Sequence, residues 1–104
     1  MPILFLRSKS TLKALGCLAA NYNKPPKPVD EISEETGFSV SYLEQLFTKM
    51  REKNIVIGTR GPGGGYSLTR PGSAITLGDI FEADKDEAGL FKRIKSVTLE
   101  EAVS

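Results

Sequence analysis

Apolar residues recur at helical spacing before residue 55, and two short strand-like runs around a glycine-rich stretch follow. In the first stretch Leu12, Leu15, Leu18 and Ala19 fall on one face, with Ser8 or Ser10 placed to cap the helix and an end expected around Asn21 to Asn23. Lys24 to Pro28 holds three prolines, which fix φ and remove amide donors, so it predicts an extended connector. Val29 to Thr36 (VDEISEET) predicts a short helix with acids crowded in its first turn, where the helix dipole favours them, and Gly37 as its stop. Ser39 is placed to cap a third helix to about Lys53, with Val40, Leu43, Leu46, Phe47 and Met50 as its apolar stripe; Ser41 with Glu44 is a competing capping box two residues later.

Beyond Asn54 the chain reads differently. Ile55 to Arg60 and Tyr66 to Arg70 predict two strands joined through GPGGG, where flexible backbone lets the chain reverse. Ile75 to Ala83 predicts a short helix capped by Thr76, with Leu77, Ile80 and Phe81 inward. A last helix over Glu87 to Val103 is weakened by Gly89, Val97 and Thr98. The order helix, glycine turn, helix, hairpin is that of a winged helix-turn-helix, a mainly α fold with a small β-hairpin wing. The expected division is residues 1–83 as the winged domain and 84–104 as a helical tail and possible dimerisation element. The same pattern also suits an ordinary amphipathic helix pair.

Composition narrows the chemistry. One cysteine, Cys17, and no histidine leave no internal disulfide and none of the usual nitrogen and sulfur metal ligands, so neither a metal nor another cofactor is expected. The same lack removes the commonest acid-base catalyst, which argues against an enzyme. A chain of 104 residues supports one core. The apolar start, Met1 to Leu6, is too short for a signal peptide, and no window approaches a membrane span, so a soluble cytoplasmic protein with no membrane partner is expected.

The formal net charge is only +1, yet the charges are blocked. Arg7, Lys9, Lys13, Lys24 and Lys27 stand without an acid before residue 29, and Asp30, Glu31, Glu34 and Glu35 follow without a base. Between Ser39 and Arg70, Lys49, Arg51, Lys53, Arg60 and Arg70 outweigh Glu44 and Glu52, and the remainder is acidic. Such blocks taken alone are solvated faces. They gain meaning from the third helix: once its core stripe is assigned, Ser39, Ser41, Tyr42, Glu44, Gln45, Lys49 and Arg51 are left outside.

Its first turn is polar and short-chained, which suits approach to base edges in a DNA major groove. Gln45 carries a donor and an acceptor, Glu44 can accept from cytosine, and the serines serve bases or phosphates. Tyr42 can face DNA or pack sideways. Arg60 precedes the glycines at a position from which a guanidinium enters a minor groove, while Gly61, Gly63 and Gly64 let backbone amides approach phosphate. A nucleotide-binding loop fits poorly, because GPGGG leads into the strand residues YSLT and not into GK[ST] opening a helix.

SVSYLEQLFTKMREKNIV, then RGPGGGYSLTRP, then AITLGDI together resemble the Rrf-two family of bacterial regulators of the IscR and NsrR type, from about Leu6 to Phe81, with KALGCLA near the start similar to the family's first helix. The resemblance implies a dimeric winged helix-turn-helix transcription factor with Ser39, Ser41, Tyr42, Glu44 and Gln45 on the DNA-reading helix and Arg60 in the wing. Many members hold an iron-sulfur cluster on three cysteines after the fourth helix. Here FEADKDEAGLFKRIKSVTLEEAVS contains neither cysteine nor histidine, so the cluster loop is expected to be absent. LFKRIKSVTLEEAV resembles the end of the family's long dimerisation helix, so a cut between Asp84 and Leu90 and a weakened homodimer are expected. The expectation is a regulator, a repressor, that binds double-stranded operator DNA without a cluster. The alternative keeps the fold as a protein-interaction module or partner of a longer family member.

Overall fold

This computed structural model describes residues 3–81 and 96–103, with side chains from Lys9 onward. The order is α1 (Ile3–Ala20), α2 (Val29–Thr36), α3 (Val40–Glu52), β1 (Val56–Thr59), β2 (Gly65–Leu68), a 3-10 turn (Gly72–Ala74), α4 (Leu77–Ile80) and α5 (Leu99–Val103). It is a mainly helical fold with one two-stranded antiparallel hairpin.

Helix α1 departs from expectation at its start. It begins at Ile3, so Ser8 and Ser10 lie inside it and neither is a cap. The leucine-rich ILFL segment is good helix material, and it carries the helix back past both serines. The fully buried face is also turned slightly, through Thr11, Ala14, Leu15 and Leu18. Leu12 and Ala19 are half-buried, because α1 has a second neighbour: α5 lies along its other side, and Leu99 is fully enclosed in the same core.

Helix α2 follows its prediction residue for residue. Gly37 closes it in the left-handed conformation, φ +81°, and its N–H returns to the Ser33 carbonyl. Side chains fix the turn that follows. The Thr36 hydroxyl donates to the Ile32 carbonyl at 2.7 Å and accepts from the Phe38 N–H at 3.2 Å, while the Ser33 hydroxyl donates to the Phe38 carbonyl at 2.6 Å. Polar atoms in a buried turn are satisfied in this way, and the angle between α2 and α3 becomes rigid.

The hairpin pairs Val56 with Leu68 through Thr59 with Gly65. The proline-rich connector is extended as expected, and it also joins the hairpin. Lys27 donates to the Tyr66 carbonyl at 3.0 Å and Tyr66 donates back at 2.9 Å, so the connector forms a third edge beside β2. Gly65, φ +150°, makes that approach possible, since a Cβ there would run into the Lys27 carbonyl.

Helix α4 is shorter than the predicted Ile75 to Ala83. Phe81 is already extended (φ −112°, ψ 153°), and Glu82 and Ala83 lie outside the described residues. The predicted cap is present as a reciprocal box: the Asp79 N–H donates to the Thr76 hydroxyl at 3.1 Å, and the Thr76 N–H to the Asp79 carboxylate at 2.9 Å. The last helix is also shorter than predicted, within the part described: Val97 and Thr98 are not helical, and the stretch from Glu87 to Lys95 lies outside the described residues.

Thr98 starts α5 with a second box of the same kind, donating to Glu101 at 2.9 Å and accepting from the Glu101 N–H at 3.2 Å. The two starts lie side by side. Leu77 donates to the Val97 carbonyl at 2.7 Å and Leu99 to the Ile75 carbonyl at 2.6 Å, so ITLGD and VTLEE pair as a short antiparallel bridge. Valine and threonine interrupt the helix because β-branched residues prefer the extended form this bridge requires.

Candidate nucleic-acid interface

Two possible starts for α3 were open in the sequence, and the structure takes the first. Ser39 is the N-cap (φ −67°, ψ 152°) and its hydroxyl accepts from the Tyr42 N–H at 3.1 Å. Ser41 and Glu44, released from capping, stand on the first turn and a half of the helix. Ser41, Glu44, Gln45 and Thr48 are spaced by three and four residues, so they form one outward stripe, flanked by Tyr42 and Lys49.

All six are exposed, while Leu43, Leu46, Phe47 and Met50 are buried on the opposite side. Among the described residues the side chains of Ser41, Glu44, Gln45 and Lys49 form no hydrogen bond or ion pair. Thr48 is the member the sequence reading missed. Its position seven residues after Ser41 was the available signal; its hydroxyl is exposed and donates to the Glu44 carbonyl at 2.7 Å.

Tyr42, ambiguous in sequence, packs sideways and keeps part of its ring outside. Its ring stands edge-on to Phe38 at 5.5 Å and 72°, yet it stays 37% exposed. Lys13 of α1 sits 5.5 Å from the Phe38 ring centre, so the start of α3 rests on a short chain of contacts to α1.

The hairpin lies beside this helix and is fastened to it. Tyr66 of β2 packs on Phe47 of α3, ring centres 4.7 Å apart, which fixes the wing against the core side of α3. Arg60, Gly61 and Gly63 are exposed at the tip and Gly64 is half-buried. Gly61 (φ +87°) and Gly63 (φ +76°) take left-handed conformations with open space around them, and the Gly64 N–H closes the turn onto the Gly61 carbonyl at 2.8 Å.

Between α3 and the wing runs a polar groove of about 490 Å³, lined among others by Glu44, Arg51, Arg60, Gly61 and Asp30 of α2. Not every base of this region faces it. Arg70 is committed to the fold: it donates to the Ala74 carbonyl at 3.0 Å and the Asn54 carbonyl at 3.3 Å and pairs with Asp79 at 3.2 Å. Lys53 is likewise engaged, donating to the Ile80 carbonyl. Asp79 is held below the usual carboxylate range, chiefly by the Thr76 N–H, and by Arg70 in a smaller degree.

Cys17 is half-buried on α1, beside an apolar groove against α5. Burial pushes its thiol up, and nearby Glu35, itself paired with Lys27, adds to the effect, so it stays a neutral thiol and a poor metal ligand. Among the described residues no three cysteine, histidine or carboxylate groups converge on a point. No helix among the described residues is long and apolar enough to cross a membrane.

The chain has clear relatives. Residues 6–103 match the Rrf2 family model, described as an iron-dependent transcriptional regulator. The HTH-type transcriptional regulator IscR of Escherichia coli is 40% identical over 77 residues, covering 74% of this chain and 48% of IscR; the chain thus spans about half the length of the curated relatives it matches. Among solved structures, T. potens IscR superposes with a TM-score of 0.73 at 28% identity, over 89% of this chain and 80% of that one. CymR, the global cysteine regulator of B. subtilis, gives 0.70 at 28% identity, over 92% of this chain and 90% of its own. The helix-turn-helix with its fastened hairpin and the match across nearly the whole chain agree: this protein belongs to the Rrf2 family of winged helix-turn-helix transcriptional regulators.

Proposed function

We propose that this chain is a DNA-binding transcriptional regulator, a repressor, that works without an iron-sulfur cluster. The observation that carries the reading is the outward stripe of α3, polar and short-chained, in which Ser41, Glu44, Gln45 and Lys49 have no side-chain partner among the described residues, on a scaffold whose turn and wing are both pinned to the core. Ser39, Ser41, Tyr42, Glu44, Gln45 and Lys49 would meet one major groove, bases first and phosphate toward Lys49. Arg60 would enter the neighbouring minor groove, with the amides of Gly61, Gly63 and Gly64 near its phosphates. The names of the relatives support the same reading.

A symmetric dimer would place two such helices about 34 Å apart on a palindromic site. Repression follows if that site overlaps a promoter. The test is to select bound fragments from genomic DNA with the purified protein, measure affinity across salt, and weigh the complex by light scattering. Salt-dependent binding to an enriched palindrome is expected. Gln45→Ala should weaken the enriched site by about 1–3 kcal/mol while leaving random DNA almost unchanged, and Arg60→Ala should weaken both. If no duplex is bound at any salt, the reading fails. A monomer that ignores DNA yet co-purifies with a longer relative would instead establish the protein-interaction role.

A further inference from the structure

Arg51 is the base of α3 whose place the function above does not use. It is exposed, its side chain forms no hydrogen bond or ion pair among the described residues, and it lies on the wall of the groove between α3 and the wing. Its side chain is laid along the wing strand: Nη1 and Cδ stand 3.5 Å and 3.7 Å from the point where a Cβ would sit on Gly58. Gly58 has no side chain to dispute that space, and Tyr66 borders it on the other side. The guanidinium is thereby held against the wing strand, in the groove that Arg60 and Asp30 also line.

This inference rests on the DNA-reading function. If α3 occupies a major groove and Arg60 the adjacent minor groove, the sugar-phosphate strand that separates those grooves has to pass between them, through this groove. We infer that Arg51 grips that phosphate ridge, binding a phosphodiester from the helix side while Arg60 occupies the minor groove beyond it. Glu44 also borders the groove, so an anion sits where the two guanidinium groups offset the carboxylates, and Arg51 is the one that reaches it from α3. A guanidinium fork suits this task, since it pairs with phosphate oxygens in a fixed plane.

The contact carries no base information, which makes it separable from the rest of the interface. Wild type, Arg51→Ala and Arg51→Lys are titrated against a duplex enriched by selection from a random-sequence pool and against a scrambled duplex of the same composition, from about 50 to 200 mM salt. Arg51→Ala should weaken both duplexes by a similar factor, about tenfold near 0.1 M salt, and lower the log-log salt slope by about 0.9. Arg51→Lys should restore most of the slope and only part of the affinity. Thermal midpoints of the variants should match wild type.

An unchanged slope in Arg51→Ala overturns the inference, as does a loss confined to the enriched duplex. If Arg51 merely props the wing, its loss disappears in an Arg60→Ala background, and that result overturns it too. Wild-type protein that binds neither duplex removes the DNA-reading function itself, an outcome distinct from a wild type that binds and a variant that does not differ.

Discussion

Replacing Gly65 by alanine tests how the wing is fastened to the rest of the molecule. Gly65 has φ +150°, and the new Cβ would run into the carbonyl of Lys27 and the nitrogen of Pro28. The connector has to move away, and the two bonds it shares with Tyr66, at 3.0 Å and 2.9 Å, are lost with it. Each such bond contributes about 1 kcal/mol net. The backbone conformation adds about 1 kcal/mol more, for a total near 3 kcal/mol by these two principles.

Gly63→Ala is the control, because Gly63 also has positive φ (+76°) but nothing within 4 Å of the new methyl group. It should cost only the backbone part, about 1 kcal/mol. In a domain of this size 1 kcal/mol moves the thermal midpoint by about 4–8 °C, so the two variants should melt about 8–16 °C apart. Thermal unfolding followed by circular dichroism reads the difference directly. Equal midpoints for the two variants would mean that the Lys27–Tyr66 edge contributes nothing to stability.

Three other outcomes are expected. Ser39→Ala should destabilise by about 1 kcal/mol in urea titration, and Ser41→Ala by under about 0.5, because only Ser39 caps α3; the reverse order would move the start of the helix. Leu99→Ala should lose about 3 kcal/mol, since Leu99 is fully buried against the α1 core, and a loss near zero would mean that α5 does not dock there. Asp79 is bound more tightly as a carboxylate in the folded state, so its folded pKa lies below the unfolded one. Its stabilisation is complete above the unfolded value and disappears as pH falls through the folded one. Asp79→Asn should therefore flatten the acid side of the stability profile below about pH 4, where wild type declines. A variant profile parallel to wild type would refute that.

The middle of the chain was readable because its signals are local. Gly37 and the acids of α2 mark that helix unaided, and Thr76 marks the start of α4. The stripe of α3 was read apart from Thr48, whose small hydroxyl gives little sign of its side. What escaped depends on partners distant in sequence. Leu12 and Ala19 look like core, and only the return of α5 decides how much of them is covered. Nothing near Lys27 announces that its backbone will meet Tyr66, and nothing near Arg70 announces Asp79. In a charge tally Arg70 and Arg51 look alike, yet the first is bound into the fold and the second is free.

The bridge between Thr76 and Thr98 ties the chain to itself, so the stretch between them is tethered at both feet. Lengthening a tethered segment costs little, about 0.6 kcal/mol for each doubling. Residues can be gained or lost there while both feet, and the surface made by α3 and the hairpin, keep their positions.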